Sequence, residues 1–256
     1  MDELITETRD DVVRLTINRP DKRNAMTEGV IAGIAEAIVQ ASRSRDVRAI
    51  VLTGAGDKAF CAGADLGTGK AFRFDYSVPN QSFANLLRVA QRATVPLIAR
   101  VNGACMAGGM GFLAMCDMAV AAEHAMFGLP EVKVGVFPMQ VLSVMQRLVS
   151  SRTLYEMCLT GEPLTAAEAR TVGLVNHVAP AAELDARLDW LLGRLLDKAP
   201  SAIRRGRYAM RTIEAMSFEE SIAFTESQIG LVAMTEDAHE GLLAFREKRK
   251  PAWTGR

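Results

Sequence analysis

The chain has 256 residues, 49% of them hydrophobic and 23% charged, enough to bury one large core with or without a helical extension. Thirty basic residues balance 30 acidic ones with no basic stripe, so nucleic acid is not an expected partner. No apolar run reaches the roughly 18–20 residues of a membrane span, and the start, MDELITETRDD, is acidic where a signal peptide is basic and then apolar, so no membrane partner and a cytoplasmic location are expected.

Taken in chain order, DVVRLTIN (11–18) sets Val13, Leu15 and Ile17 against Val12, Arg14 and Thr16, which predicts a strand of period two. Thr27 is a candidate N-cap for a helix whose face carries Val30, Ile31, Ile34, Ile38 and Val39. VRAIVLTG (47–54) reads as a buried strand. The next stretch is glycine-rich and without period, a long functional loop leading into a helix near 82–93. VPLIARVNG (95–103) is another apolar strand, AGGMGFLAM (107–115) a glycine turn opening a short helix, and DMAVAA (117–122) a strand again. Strands alternating with helices predict an α/β fold with parallel pairing.

From 139 on, helices dominate. MQVLSVMQRLV carries an apolar face of Leu142, Met145, Leu148 and Val149, and Thr165 with Glu168 forms a capping-box pattern ended by Gly173. LVNHV (174–178) predicts a last short strand. Beyond Pro180 come helices at 182–198, at 201–214, after Ser217 with Glu220, and at 236–249. Their apolar faces have little sheet left to cover, which points to a neighbouring subunit.

Three segments can carry chemistry. FCAGADL (60–66) and NGACMAGGMG (102–111) each follow a strand, and their small residues allow a ligand close to the main chain. The second opens a helix, where N–H groups near Gly108 gain the positive dipole end. Two such donors on one carbonyl oxygen make an oxyanion hole; the other reading is that the glycines serve only tight turns. In FGLPEVKVGVFP (127–138), Glu131 sits in an apolar stretch where lost hydration would raise its pKa into the range of acid/base work. Its alternative is a surface glutamate paired with Lys133. Cys61, Cys105, Cys116 and Cys158 form no C-x-x-C pair and stand apart from His124, His177 and His239, so buried thiols are expected and a metal site is not.

In this order, NRPDKRNAM (18–26), IVLTGAGDKAFCAGADL (50–66), VNGACMAGGMGFLAMCD (101–117), FGLPEVKVGVFP (127–138), LTGEPLTAAEARTVGLVNHV (159–178) and EGLLAFREKRKPAW (240–253) resemble the enoyl-CoA hydratase/isomerase (crotonase) family over essentially the whole chain. The resemblance implies a spiral of ββα repeats over 1–190, which holds the active site. A helical trimerisation region over 191–256 would give a homotrimer or a dimer of trimers. It implies an acyl-CoA thioester substrate, with no cofactor beyond the CoA that enters as part of it. Ala64 and Gly108 would supply the two oxyanion N–H groups and Glu131 the acid/base. Asp65 and Leu66 would run beside the CoA, and Phe245 and Lys248 would reach a CoA bound to a neighbouring subunit. Lys248 has a competing reading as a solvated tail lysine.

Two departures restrict the chemistry. Family hydratases carry a second glutamate where this chain has Gly111, and family dienoyl isomerases and dehalogenases an aspartate where it has Met139, followed by Gln140. Hydration of an α,β-unsaturated enoyl-CoA, or its reverse, is the preferred reading. Δ3–Δ2 isomerisation by a single glutamate is the alternative, and a non-catalytic acyl-CoA binder is the third. Phe72, Phe74 and Tyr76 in the 67–82 loop are candidates for lining the acyl pocket or for packing. A nicotinamide reading of Gly54-x-Gly56-x-x-Ala59 requires a helix straight after the glycines. A serine hydrolase requires a serine in 102–111, and that segment has none.

Overall fold

The computed structural model describes residues 2–65, 67 and 75–256. The chain opens on an antiparallel hairpin of β1 (Leu4–Arg9) and β2 (Val12–Ile17). Asp10 and Asp11 turn it with φ of 48° and 65°, the left-handed pair that a two-residue hairpin loop needs. The sequence reading places no strand before residue 11. β1 lies at the sheet edge with mostly exposed residues, so it shows no alternation to find. In β2, Val13, Leu15 and Ile17 are the buried set, as their period requires. Thr27 caps α1 (Glu28–Arg43) by accepting the Val30 N–H, and Val30, Ile31, Ile34 and Ile38 are buried.

The chain then winds in repeated turns. Each turn gives a longer strand to one sheet and a short strand to a second, and a helix follows. The first turn is β3 (Ala49–Gly54), β4 (Ala59–Cys61) and α2 (Ser82–Arg92). The second is β5 (Leu97–Val101), β6 (Ala104–Met106) and α3 (Gly108–Ala114). The third is β7 (Met118–Ala122) and β8 (Met126–Gly128), leading through a 3-10 turn (Pro130–Val134) to α4 (Met139–Met145). Three-residue strands are too short to show a period, which is why β4, β6 and β8 are invisible in the sequence. α4 is shorter than its apolar pattern suggests. Val141, Val144 and Met145 are its buried residues, while Leu148 and Val149 fall beyond its end.

After α5 (Ser151–Thr160), β9 (Leu164–Thr165) closes the small sheet against β8. Thr165 and Glu168 make both bonds of the capping box that starts α6 (Ala166–Thr171). β10 (His177–Ala179) completes the large sheet. Its order is β1-β2-β3-β5-β7-β10, parallel throughout except for the opening hairpin; the small sheet runs β4-β6-β8-β9.

The helices that follow divide into two kinds. α7 (Leu184–Leu196) buries Leu184, Leu188, Leu191 and Leu192 on Ala49, Val51, Ile98, Val120 and Ala122, the face of the large sheet turned away from α1. Each such leucine contributes about 1.5–3 kcal/mol. The expectation that these helices lack sheet to cover is therefore corrected for α7: alternate residues of fully buried parallel strands present a second apolar face. α8 (Pro200–Ile213), α9 (Phe218–Ala233) and α10 (Glu236–Glu247) differ. α9 buries none of its residues, and Phe218, Ile222, Ile229 and Leu231 stand exposed. Among the described residues no helix is long and apolar enough to cross a membrane.

Candidate active site

Two glycine-rich loops meet beside Met26. Met26 pairs with Ala64 in an isolated parallel bridge: the Met26 N–H donates to Gly63 O (2.8 Å) and the Asp65 N–H to Met26 O (3.2 Å). That pattern leaves the Ala64 N–H out of the bridge. Gly63 has φ +95°, and a Cβ there would stand 2.8 Å from Ala107 Cβ and 3.3 Å from Gly108 N. Only glycine fits, and it brings the first loop against the second.

Ala107 holds φ 51° and ψ −125°, a conformation that costs a residue with a Cβ about 1–3 kcal/mol. It is fixed from both sides, since its N–H donates to Gly128 O and its carbonyl accepts from the Met110 N–H, both at 2.9 Å. Gly108 then starts α3, where a first-turn N–H has no partner within the helix. Ala64, Ala107 and Gly108 are all half-buried, so a ligand can reach them. Nothing in the residue type at 107 announces the strain. It is a feature of the site that the sequence does not display.

Polar side chains hold this frame. The Arg19 guanidinium donates to Asp65 Oδ2 (2.7 Å) and Ala25 O (2.6 Å) and pairs with Glu3 (2.9 Å). The hydrogen bond from Arg19 holds the Asp65 carboxyl below its ordinary pKa. Through Arg19, Asp65, expected beside the CoA, ties the Ala64 loop to the chain start. Buried Asn24 donates to Ala55 O and Ala59 O, and Asn102 donates to Gly56 O and Ala59 O. Gly56 (φ 75°) makes a turn that leads into β4, so the helix that a nicotinamide fingerprint requires is missing from the Gly54–Ala59 segment. Leu66, Phe72 and Phe74 lie outside the described residues. Tyr76 is 86% exposed.

Glu131 stands in the 3-10 turn just beyond β8, the strand whose Gly128 carbonyl fixes Ala107. Gly135 ends the turn in the left-handed region, and the Val136 N–H donates to Glu131 O at 3.2 Å. Carboxylate Oε2 is buried with no hydrogen-bond partner among the described residues. Desolvation raises the Glu131 pKa above its ordinary value. The surface alternative is removed: Lys133 pairs with Glu162 instead, at 2.8 Å. Cys158, from α5, has its thiol pKa raised by burial first and by the Glu131 charge second. All four cysteines are free and buried, as expected.

The position of the absent second acid is filled by hydrocarbon. A Cβ on Gly111 would stand 2.6 Å from Phe83 Cζ and 3.5 Å from Val141 Cγ2. The Phe83 ring meets Phe112 edge-on with centroids 5.8 Å apart. Gln140 is hydrogen-bonded to Gln81, and Met139 is 69% exposed. Phe83 escapes a sequence reading because its contact with Gly111 joins two different turns of the spiral. Phe245 is exposed on α10, and Lys248 ends that helix in the left-handed region at φ 55°. Both stand on a helix that packs on α8 and α9.

The two-sheet spiral of ββα turns with a helical C-terminal region is the crotonase fold. The family model described as enoyl-CoA hydratase/isomerase matches residues 7–256, and the chain belongs to this family. Over all of both chains it is 33% identical to the 2,3-dehydroadipyl-CoA hydratase of Escherichia coli (strain K12). It is 32% identical to the crotonyl-CoA hydratase of Syntrophomonas wolfei, covering 97% of this chain and 96% of that one. The crystal structure of an enoyl-CoA hydratase from Mycobacterium smegmatis superposes with a TM-score of 0.90 at 32% identity, covering 98% of each chain.

Proposed function

We propose that the protein acts on an unsaturated acyl-CoA thioester and shifts a C3=C4 double bond to C2=C3 with Glu131 as the sole acid/base. The observation that carries this is a desolvated carboxylate at Glu131, with its Oε2 buried and unpartnered among the described residues, combined with hydrocarbon around Gly111. The thioester oxygen would lie between the N–H groups of Ala64 and Gly108. Glu131 takes a proton from C2, and the electron pair spreads over C2, C3 and C4 and onto the thioester oxygen, where the two donors stabilise the charge. The same carboxyl returns the proton at C4. One base suffices, no proton is gained or lost, and no cofactor is needed beyond the CoA carried by the substrate.

Hydration of a 2-enoyl-CoA is the second reading, supported by the activities named for the E. coli and S. wolfei relatives. It requires a water held at C3, and Phe83 and Val141 offer that water no hydrogen bond. Product analysis over matched 3-enoyl and 2-enoyl thioesters tests the choice. Isomerisation faster than hydration is expected; the reverse order selects the hydratase, and turnover of neither selects a binding protein.

The exposed apolar side chains of α9 and α10 further support a trimer-based assembly in which Phe245 and Lys248 serve a neighbour's CoA. Light scattering at micromolar concentration is expected to give a trimer or hexamer. A monomer defeats the assembly and the trans role of Lys248 together.

A further inference from the structure

Gly111 lies in ordinary helical backbone, so nothing about its φ calls for glycine, and glycine is a poor helix former. What calls for it is space. The Phe83 ring, from the first turn of α2, is wedged between the Gly111 Cα and Phe112, with Val141 of α4 on the remaining side. The Gln81–Gln140 hydrogen bond ties the starts of α2 and α4 together next to that contact. Position 111 follows Gly108 by three residues, so it shares its helix face and lies about 4.5 Å further along the axis. An acyl chain that leaves a carbonyl held at Gly108 N–H along this side of the helix would meet the Phe83 ring that covers Gly111.

We propose that Phe83 is the specificity-determining residue of the acyl site: its ring takes the volume that an acid on residue 111 would use, keeps a held water away from C3, and restricts the acyl group to slim chains unbranched at C3 and C4. This rests on the reading above, in which Ala64 and Gly108 hold the thioester and Glu131 moves the proton. The ring is half-buried. It can thus touch a substrate while remaining fixed by Phe112.

The experiment compares wild type with Phe83→Ala, Phe83→Leu, Gly111→Glu and the double variant Phe83→Ala/Gly111→Glu. Its readouts are kcat/KM for straight and C3-branched enoyl-CoAs, hydration rate, and exchange of the C2 hydrogens of a saturated acyl-CoA into D2O. Phe83→Ala is expected to raise the branched-to-straight kcat/KM ratio about tenfold or more, and Phe83→Leu to raise it less. Gly111→Glu alone should melt below wild type without gaining hydration. Paired with Phe83→Ala, it should hydrate about tenfold faster or more than Phe83→Ala alone. Folded Phe83→Ala and Phe83→Leu proteins that keep the wild-type ratio overturn the proposal. So does Gly111→Glu gaining hydration at the wild-type melting temperature. Should Phe83→Ala not fold, the Phe83→Leu ratio decides. The exchange readout separates the two layers. With Glu131→Gln added to the comparison, its loss in that variant supports the proton-transfer reading. Its retention there defeats that reading, while the ratio still reports on Phe83.

Discussion

The two corners where family hydratases place an acid are built from opposite materials. At Glu131, a proline-led 3-10 turn buries a carboxylate oxygen and gives it no partner, although Lys133 is two residues away and free to choose Glu162. At Gly111, the Phe83 ring lies where a Cβ would go, 2.6 Å from it, with Val141 packed beside it. The first arrangement costs stability, because a buried polar atom without a hydrogen bond forfeits its hydration. The second adds stability by packing. On the proposed reading, that difference suits transfer of a proton by one group over holding water between two.

Variants at the costly corner should show the largest effects. Glu131→Gln keeps the shape and loses the proton transfer, and a fall in kcat of about 10²–10⁴-fold is expected with thioester binding nearly unchanged. Turnover within a few-fold of wild type would mean that the two corners do not differ in chemistry. Next comes the donor beside them. Gly108→Pro removes an N–H whose loss should lower kcat about 10²–10³-fold. A Cβ at this position would stand 2.7 Å from Met26 Cε. Gly108→Ala therefore serves as the control, adding the same Cβ with the N–H retained. Equal losses in both variants would assign the effect to crowding.

The raised pKa of Glu131 gives the third prediction. The base form is lost as pH falls through the raised value, so the acid limb of kcat/KM should lie above the ordinary carboxylate range. A limb near an unperturbed glutamate would show that burial does not reach the working carboxylate. The smallest effect is on stability. A carboxyl whose folded pKa lies above its unfolded pKa binds more protons in the folded state, so its stabilising protonation fades as pH rises through that window. At neutral pH the charged form, with Oε2 buried and unpartnered among the described residues, is a burden, and Glu131→Gln should stabilise the protein by about 1 kcal/mol. That gain should shrink as pH falls from the raised folded value toward the ordinary glutamate value, and be gone below it. Thermal melts across pH would check it.

Much of the frame was legible because local rules govern it. Period-two burial located β2, hydroxyl caps located α1 and α6, and the Ser217–Glu220 box located α9. The apolar setting of Glu131 was visible in the residues around it. What escaped depends on contacts between turns of the spiral. The β4, β6 and β8 strands exist through their partners, Ala107 adopts its positive φ because bonds from Gly128 and Met110 hold it, and Phe83 meets Gly111 only after α2 and α3 pack. The leucines of α7 and the exposed side chains of α9 give similar apolar patterns. The sheet beneath α7 is what distinguishes them.

The central claim, that Glu131 alone carries a proton along the acyl chain, is tested most directly with a 3-enoyl-CoA deuterated at C2. The wild-type 2-enoyl product should carry part of that deuterium at C4, and Glu131→Gln should form almost no product. Labelled product from Glu131→Gln at the wild-type rate would contradict it.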